Sequence, residues 1–226
     1  GRGIMKKALP AIVVVAGMAS VASAGTISHT VPFGPTNVPF SGLVLNVPQY
    51  NGINPLISVT LELSADTSAG SIAWDNEAGV TTNITLGVGA EVTASAPAAL
   101  TLVAVPLQTD SATGIAADND GAADFIGTDS FSVTGGSGND TDSDSPGSFV
   151  AYIGAGTFAV TIDSVVETFV STTGGFGPID VTPGVTEGFV KVTYEYSEAI
   201  PSPAAAGAGL SMLGGLGLLA RRRRRH

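Results

Sequence analysis

The stretch LISVTLELS, residues 56–64, decides the fold class because apolar and polar side chains alternate along it. In an extended strand, successive side chains point to opposite faces, so this pattern makes one apolar face and one polar face. The apolar face comprises Ile57, Val59, Leu61 and Leu63, and the polar face comprises Ser58, Thr60 and Glu62. The stretch therefore predicts a strand that is buried on one face and exposed to solvent on the other.

Three further stretches alternate in the same way: NITLGVGAEVT (83–93), GTFAVTID (156–163) and GFVKVTYEYS (188–197). Clusters of Gly, Pro, Asn, Asp and Ser separate the stretches, as is typical of turns between strands. The body of the chain has no helical period. We predict an all-β fold, an antiparallel β-sandwich with a jelly roll as the close alternative. A solenoid is disfavoured because no regular repeat is found. The inward residues expected are Ile84, Leu86, Val88, Ala90, Val92, Phe158, Val160, Ile162, Val190, Val192, Tyr194 and Tyr196.

Two segments have the composition of loops. TGIAADNDGAADFIGTDS (113–130) is rich in turn-forming residues throughout. TGGSGNDTDSDSPGS (134–148) contains Gly, Ser and Asp with no apolar residue to anchor it. We predict that the second segment is a mobile surface loop.

The N-terminal residues resemble a secretory signal peptide. After Met5, two lysines precede a short apolar run over residues 8–21, and Ala22-Ser23-Ala24 supplies small residues for cleavage before Gly25. We expect a signal helix here, with residues 1–24 as leader and signal peptide. We therefore expect the chain to be exported.

The C-terminal residues form a second signal. Residues 204–220 are uncharged and apolar, and a helix of that length is about 25 Å long, the short end of a membrane span. A basic cluster follows, and it would remain on the cytoplasmic side of the inner membrane. The cluster comprises Arg221, Arg222, Arg223, Arg224 and Arg225. We expect a hydrophobic helix that anchors the chain transiently or permanently.

This tail resembles the PEP-CTERM sorting signal of exported bacterial proteins, which the membrane enzyme exosortase recognises. The motif is Pro201-Ser202-Pro203, with Ser202 where Glu is typical of the family. The resemblance implies that the export machinery and an exosortase-like enzyme are partners. It also makes residues 200–226 a sorting tail behind a domain of residues 25–199.

The domain between the two signals is strongly acidic. All nineteen acidic residues fall within it, against Lys191 as its one basic residue, so its formal charge is −18. Nucleic acid and anionic membrane surfaces are excluded as partners because binding them requires Lys or Arg. The chain has no cysteine, so disulfides and thiolate metal sites are excluded.

The domain itself resembles the choice-of-anchor E family over most of residues 33–196. The residues that carry the resemblance are Pro48-Gln49-Tyr50, the alternating strand at 57–63, the DG..DF.G stretch at 120–127 and the final VKVTYEY at 190–196. The resemblance implies an extracellular, surface-displayed bacterial domain, and it implies no activity.

Catalytic signatures are missing from the sequence of the domain. Nucleophilic catalysis requires a base beside the nucleophile, and the only histidine in the domain is His29, near the predicted cleavage site. No nucleophile elbow, P-loop or dinucleotide fingerprint occurs. We therefore expect no enzyme and no catalytic residue.

Trp74, the one tryptophan, has Asp75 and Glu77 beside it. We interpret it as a core or sheet-face residue with acidic turn residues, and a sugar-stacking platform is the alternative. Carboxylates are abundant enough for a glycosidase pair. An extracellular carbohydrate-binding or carboxylate-dependent glycan-active protein is therefore the alternative function.

The sharpest local hypothesis is a calcium site at Asp118, Asp120 and Asp124, around the turn at Gly121. Calcium binds six to eight hard oxygen ligands, and carboxylates on a tight loop can supply several of them. The EF-hand pattern does not fit, because its first and last ligand positions would be Ala116 and Gly127. A second acidic cluster, at residues 140–144, falls in the predicted mobile loop. No other cofactor is expected.

Together these observations predict an exported, surface-sorted structural or interaction protein of the bacterial cell envelope or extracellular matrix. An anionic exopolysaccharide is a candidate partner, bridged through divalent cations that the acidic domain would recruit.

Overall fold

The structure is a computed structural model. The part of the chain that it describes contains twelve β-strands and one 3-10 helical turn, Val150–Tyr152. The described residues are 24–117, 121 and 123–198, and Ala24–Ser197 pack as one unit. The predicted signal helix and hydrophobic tail helix lie outside them. The strands are β1 (Ala24–Asn37), β2 (Phe40–Pro48), β3 (Leu56–Ser68), β4 (Ser71–Asp75), β5 (Thr82–Ala96), β6 (Leu100–Ala104), β7 (Leu107–Ile115), β8 (Ser130–Thr134), β9 (Ser137–Asp144), β10 (Thr157–Thr172), β11 (Ile179–Thr182) and β12 (Val185–Ser197).

Two antiparallel sheets form the sandwich. One has the order β1-β12-β3-β9, and the other has the order β2-β10-β5-β6, with β7 also pairing with β5. β6 and β7 follow each other along β5, opposite its residues 92–96 and 82–89. The all-β sandwich prediction is confirmed.

The strand pairs are nested as in a jelly roll. From the outermost pair inward they are β1 with β12, β2 with β10, β3 with β9, and β5 with β6 and β7. The pairings of β12 with β3 and of β10 with β5 then join these hairpin arms into two sheets. This is the alternative that the sequence pattern left open, and its order follows from a long hairpin folded back on itself.

The inner faces of the two sheets enclose the main core. Because the side chains alternate, each long strand contributes every second residue, as predicted for β3, β5, β10 and β12. Ile57 departs from the expectation, since it is half-exposed near the start of β3, whereas Val59 begins the buried run. Tyr196 is only partly buried. The fully buried members of the core include Val59, Leu61, Leu63, Ala90, Val92, Val160, Ile162, Val190, Val192 and Tyr194.

The small third sheet, β11-β4-β8, covers a second apolar cluster. Its strands are insertions that follow β3, β7 and β10 along the chain. The first half of β5 faces this cluster, so β5 belongs to both cores. The cluster comprises Ile72, Trp74, Ile84, Leu86, Val88, Ile115 and Val133.

The prediction of a mobile loop over residues 134–148 is wrong, because Ser137–Asp144 form β9, the edge strand beside β3. Asp140 Oδ2 accepts the N–H of Val105 at 2.7 Å, and Asp142 Oδ2 accepts the N–H of Val103 at 2.9 Å. A Cβ on Gly138 would collide with the backbone of Leu107. The strand is therefore held across the sandwich edge by carboxylates and close backbone packing, so it needs no apolar residue.

The loop prediction for residues 113–130 is confirmed for the described residues between β7 and β8. Residues 116, 117, 121 and 123–129 lie outside the strands, whereas residues 113–115 end β7 and Ser130 begins β8. We call the described residues 116, 117, 121 and 123–129 the acidic loop.

Replacing Asp140 with alanine should destabilise the domain by about 1–3 kcal/mol, because the half-buried N–H of Val105 loses a charged acceptor. Asp144→Ala is the matched control, since the exposed Asp144 carboxylate accepts the N–H of its neighbour Ser145. Urea unfolding of both variants measures the difference. Equal midpoints for Asp140→Ala and Asp144→Ala would contradict the role assigned to Asp140.

Alkaline pH should destabilise the fold through two buried tyrosines. Burial raises the pKa of Tyr152 to about 12, and burial followed by the nearby Tyr152 charge raises the pKa of Tyr194 further. Unfolded tyrosines titrate near pH 10, so the folded state keeps protons that the unfolded state loses. The free energy of unfolding is therefore unaffected by these tyrosines below about pH 10 and falls above it. Tyr152 alone should lower it by about 2 kcal/mol at pH 12.

Urea unfolding at pH 7 to 11.5 measures this slope, and Tyr152→Phe should make it shallower. The variant also loses the hydrogen bond from Tyr152 Oη to Pro97 O (2.8 Å), so it should be about 1 kcal/mol less stable at pH 7. An alkaline slope that Tyr152→Phe leaves unchanged would refute the assignment.

Candidate functional site

The candidate site lies where β4 ends and the chain turns beneath the acidic loop. Trp74 faces the second apolar cluster and is 1% exposed. Asp75 should face outward by strand alternation, yet it is also 1% exposed. The Asp75 N–H donates to Pro178 O at 3.3 Å, and a Cβ on Gly177 would collide with Asp75 O. The outer face of β4 is therefore covered at this point.

Asn76 connects this turn to both ends of the acidic loop. Its side-chain NH2 donates to Ala116 O at 2.7 Å and to Val80 O at 3.0 Å, and its Oδ1 accepts the N–H of Ala78 at 3.2 Å. Its backbone N–H donates to Asp129 O at 2.9 Å. The fully buried Asn76 thus holds the loop through its bonds to Ala116 O and Asp129 O. Its bonds with Val80 and Ala78 stabilise its own turn.

The Asp75 carboxylate faces the acidic loop. Its Oδ2 accepts the N–H of Asp124 at 3.0 Å and the N–H of Phe125 at 3.2 Å. Its Oδ1 is buried and has no hydrogen-bond partner. Phe125 has a φ of +55°, a left-handed conformation that costs a non-glycine residue about 1–2 kcal/mol. The two hydrogen bonds to Asp75 help to hold that conformation.

The predicted calcium residues are only partly described. Asp118 and Asp120 lie outside the described residues. Asp124 is exposed, and its carboxylate accepts the N–H of Ile126 at 3.0 Å while its own N–H bonds Asp75. Within the described ranges, no three His, Cys, Asp or Glu side chains are grouped so as to hold a metal ion. The structure therefore leaves the calcium prediction open and brings a new carboxylate, Asp75, to the loop.

Trp74 lies in the core, as its preferred interpretation required. A tryptophan that is 1% exposed presents no surface on which a sugar ring can stack. The stacking alternative for Trp74 is therefore wrong in this structure.

The remaining candidates for chemistry lie on the sheet β1-β12-β3-β9. His29 is half-buried on β1, and its ring lies edge-on to Tyr194 with centroids 6.2 Å apart. Lys191 Nζ pairs with Glu62 Oε2 at 3.1 Å on neighbouring strands. Both side chains have structural partners from adjoining strands.

The terminal signals are described only at one point. Of the cleavage residues, Ala24 and Gly25 begin β1, where Gly25 pairs with Tyr196, and Ala22 lies outside the described residues. Pro201, Ser202, Pro203 and the five arginines at 221–225 also lie outside them. Within the described part of the chain, no helix has the length and apolarity needed to cross a membrane.

The sequence pattern predicted Asp75 to be an acidic turn residue and gave no indication of a role for Asn76. The available signal was the break in alternation after Trp74, where a strand ends in polar residues that have the composition of an exposed turn. Their burial arises from the acidic loop and from residues 176–178, which are distant in sequence.

Comparisons with known proteins do not identify a family. No protein-family model matches the sequence, and no curated protein matches it. Solved structures that resemble the chain include T=1 particles derived from infectious bursal virus, with 12% identity and a TM-score of 0.19 over 91% of this chain and 51% of that chain. The Gx strain of infectious bursal disease virus gives 12% identity and a TM-score of 0.14 over 94% and 55%. The chain spans about half the length of these solved chains, and similarities at such TM-scores carry no argument.

Replacing Asn76 with alanine should loosen the acidic loop, because the side-chain bond to Ala116 O is lost while the backbone bond to Asp129 O remains. Three side-chain hydrogen bonds are lost, and buried carbonyl and N–H groups remain unpaired, so the domain should lose at least about 2 kcal/mol. Emission of the single tryptophan should shift to the red as water reaches Trp74. Asn139→Ala is the matched control, since Asn139 is exposed on β9. If Asn76→Ala behaved like Asn139→Ala in unfolding and emission, the loop would not depend on Asn76.

Proposed function

We propose that this chain is an exported, surface-sorted structural or interaction protein of the bacterial cell envelope or extracellular matrix, without catalytic activity. The observation that carries the proposal is the order of segments: a signal peptide, a cysteine-free acidic β-domain, a Pro-Ser-Pro motif, an apolar span and an arginine cluster. The same order supports membership of the choice-of-anchor E family and processing by an exosortase-like enzyme.

The arrangement of the domain ends fits attachment through one point. Ala24 pairs with Ser197, and Gly25 pairs with Tyr196, so the predicted cleavage site lies beside the last strand before the predicted sorting tail. Signal cleavage and tail processing would then act at the same end of the domain. The opposite end would face away from the envelope.

The use of the carboxylates supports a structural rather than a catalytic role. Asp140 and Asp142 accept backbone N–H groups across the sandwich edge, and Asp163 accepts the N–H of Gly42 at 2.8 Å. Glu195 accepts the hydroxyl of Ser58 at 2.8 Å, and Glu62 pairs with Lys191. These five acids, drawn from four strands, stabilise the sandwich.

The excess negative charge suggests the class of partner. A domain with a formal charge of −18 repels polyanions unless cations intervene. We therefore propose that divalent cations bridge it to an anionic exopolysaccharide, and that nucleic acid is not a partner.

The test is the intact mass of the protein recovered from its native host, in separate membrane, matrix and medium fractions. The proposal predicts an N-terminus at Gly25 and a C-terminus near residues 201–204 in the matrix or medium, with release from the matrix by a chelator. A variant with glutamine at all five positions 221–225 should keep its tail, because the basic cluster is what the sorting enzyme is expected to read.

A protein that keeps residues 221–226 in the membrane fraction would make this a tail-anchored surface protein and end the sorting proposal. A correctly processed protein that the chelator does not release would end only the cation-bridging part.

A further inference from the structure

We infer that Asp75 anchors a site for a hard divalent cation, of the calcium class, beneath the acidic loop. The inference concerns the isolated protein and does not depend on the proposed function. It rests on a buried carboxylate that the described part of the chain leaves half-satisfied.

The Asp75 carboxylate is buried and only half hydrogen-bonded. Asp75 is 1% exposed, and its two oxygens are unequal: Oδ2 accepts two backbone N–H groups, and Oδ1 accepts none. Buried polar atoms in folded proteins almost always have a partner, and buried charges are paired or bind metals. The orphan oxygen therefore marks a ligand position that the described residues leave unfilled.

A buried carboxylate is normally paired with a positive charge. Among the described residues, the side chains able to carry positive charge are Lys191, which pairs with Glu62, and His29, which lies against Tyr194. Both belong to the sheet β1-β12-β3-β9, whereas Asp75 ends β4 in the small third sheet. Neither of these two described side chains therefore compensates the charge of Asp75.

The hydrogen bonds of Asp75 fix the direction of its carboxylate. Because Oδ2 bonds the backbone of Asp124 and Phe125, the whole carboxylate faces the acidic loop. The loop carries further oxygen donors next to these contacts, namely the Asp124 carboxylate and backbone carbonyls. Asn76 holds Asp129 to this turn through its backbone.

The chemistry of the donors around Asp75 indicates which kind of ion would bind. All the donors are oxygens, and the chain has no cysteine, which favours a hard cation over a soft one. Calcium accepts carboxylates, backbone carbonyls and waters together in flexible sets of six to eight, so it does not require three preassembled carboxylates. Magnesium demands a tighter octahedron and retains its waters. The flexible set available here suits calcium.

The experiment uses the full chain in mild non-ionic detergent after removal of metal by a chelator. Terbium(III), a luminescent substitute for calcium, is added while tryptophan is excited selectively. Trp74 is the only tryptophan in the chain and precedes Asp75, so an ion at Asp75 should give sensitised terbium emission. The expected result is a saturable signal that calcium displaces and magnesium displaces poorly. Calcium should also raise the melting temperature.

Asp75→Asn keeps an oxygen that can accept the two N–H groups but removes the charge, and it should weaken calcium binding at least about tenfold. Asp144→Asn is the matched control, because Asp144 is an exposed acid on β9 and its loss should change affinity less than about twofold. Asp124→Asn, at an exposed position, tests the site if Asp75→Asn does not fold. Its expected effect is also a clear loss of affinity.

The inference is overturned if the wild-type chain gives no saturable terbium signal, or if calcium leaves its melting temperature unchanged. It is also overturned if Asp75→Asn, folded, binds as the wild type does, or if Asp144→Asn weakens binding equally. The last result would show diffuse attraction by the acidic domain rather than a site.

Discussion

The closure of the sandwich depends on β9, a strand without a single large apolar side chain. Its inward positions are Gly138, Asp140 and Asp142, which meet the chain of β6 and β7 through backbone packing and two charged hydrogen bonds. Without β9, the inner edge of β3 and the core residues behind it would face water. The same carboxylates give an edge strand the inward-pointing charges that discourage pairing with other chains. One polar strand thus completes the core and protects its rim.

Most of the fold could be predicted from the sequence because four long strands alternate clearly. In β3, β5, β10 and β12, burial on one face selects the apolar residues, so period-two patterning records the sheet directly. β9 could not be predicted because its inward residues are stabilised by hydrogen bonds to distant N–H groups, which leave no hydrophobic signal. The jelly-roll order could only be kept as an alternative, since Ala24 meets Ser197 across the whole length of the domain.

The candidate site was predictable in part for a similar reason. The turn chemistry around Gly121 identified the acidic loop, and Asp124 within it, from local sequence. Asp75 and Asn76 gained their roles from segments that are distant along the chain: the acidic loop and residues 176–178. A polar residue at the end of a strand has the same local pattern whether it is exposed or covered, so burial of Asp75 required the tertiary structure.

The position of β9 can be tested directly because the chain has no cysteine of its own. Ser64 pairs with Thr141 in the β3–β9 ladder, and Asn139 lies two residues along on the same face. The measurement is disulfide formation, by intact mass, in Ser64→Cys/Thr141→Cys and in Ser64→Cys/Asn139→Cys. Opposed residues lie within disulfide reach, whereas diagonal neighbours about 7–8 Å apart do not. The account predicts rapid crosslinking of the first pair only. Equal crosslinking of both pairs would mean that residues 137–144 form a mobile loop, and that the sandwich is not closed by this strand.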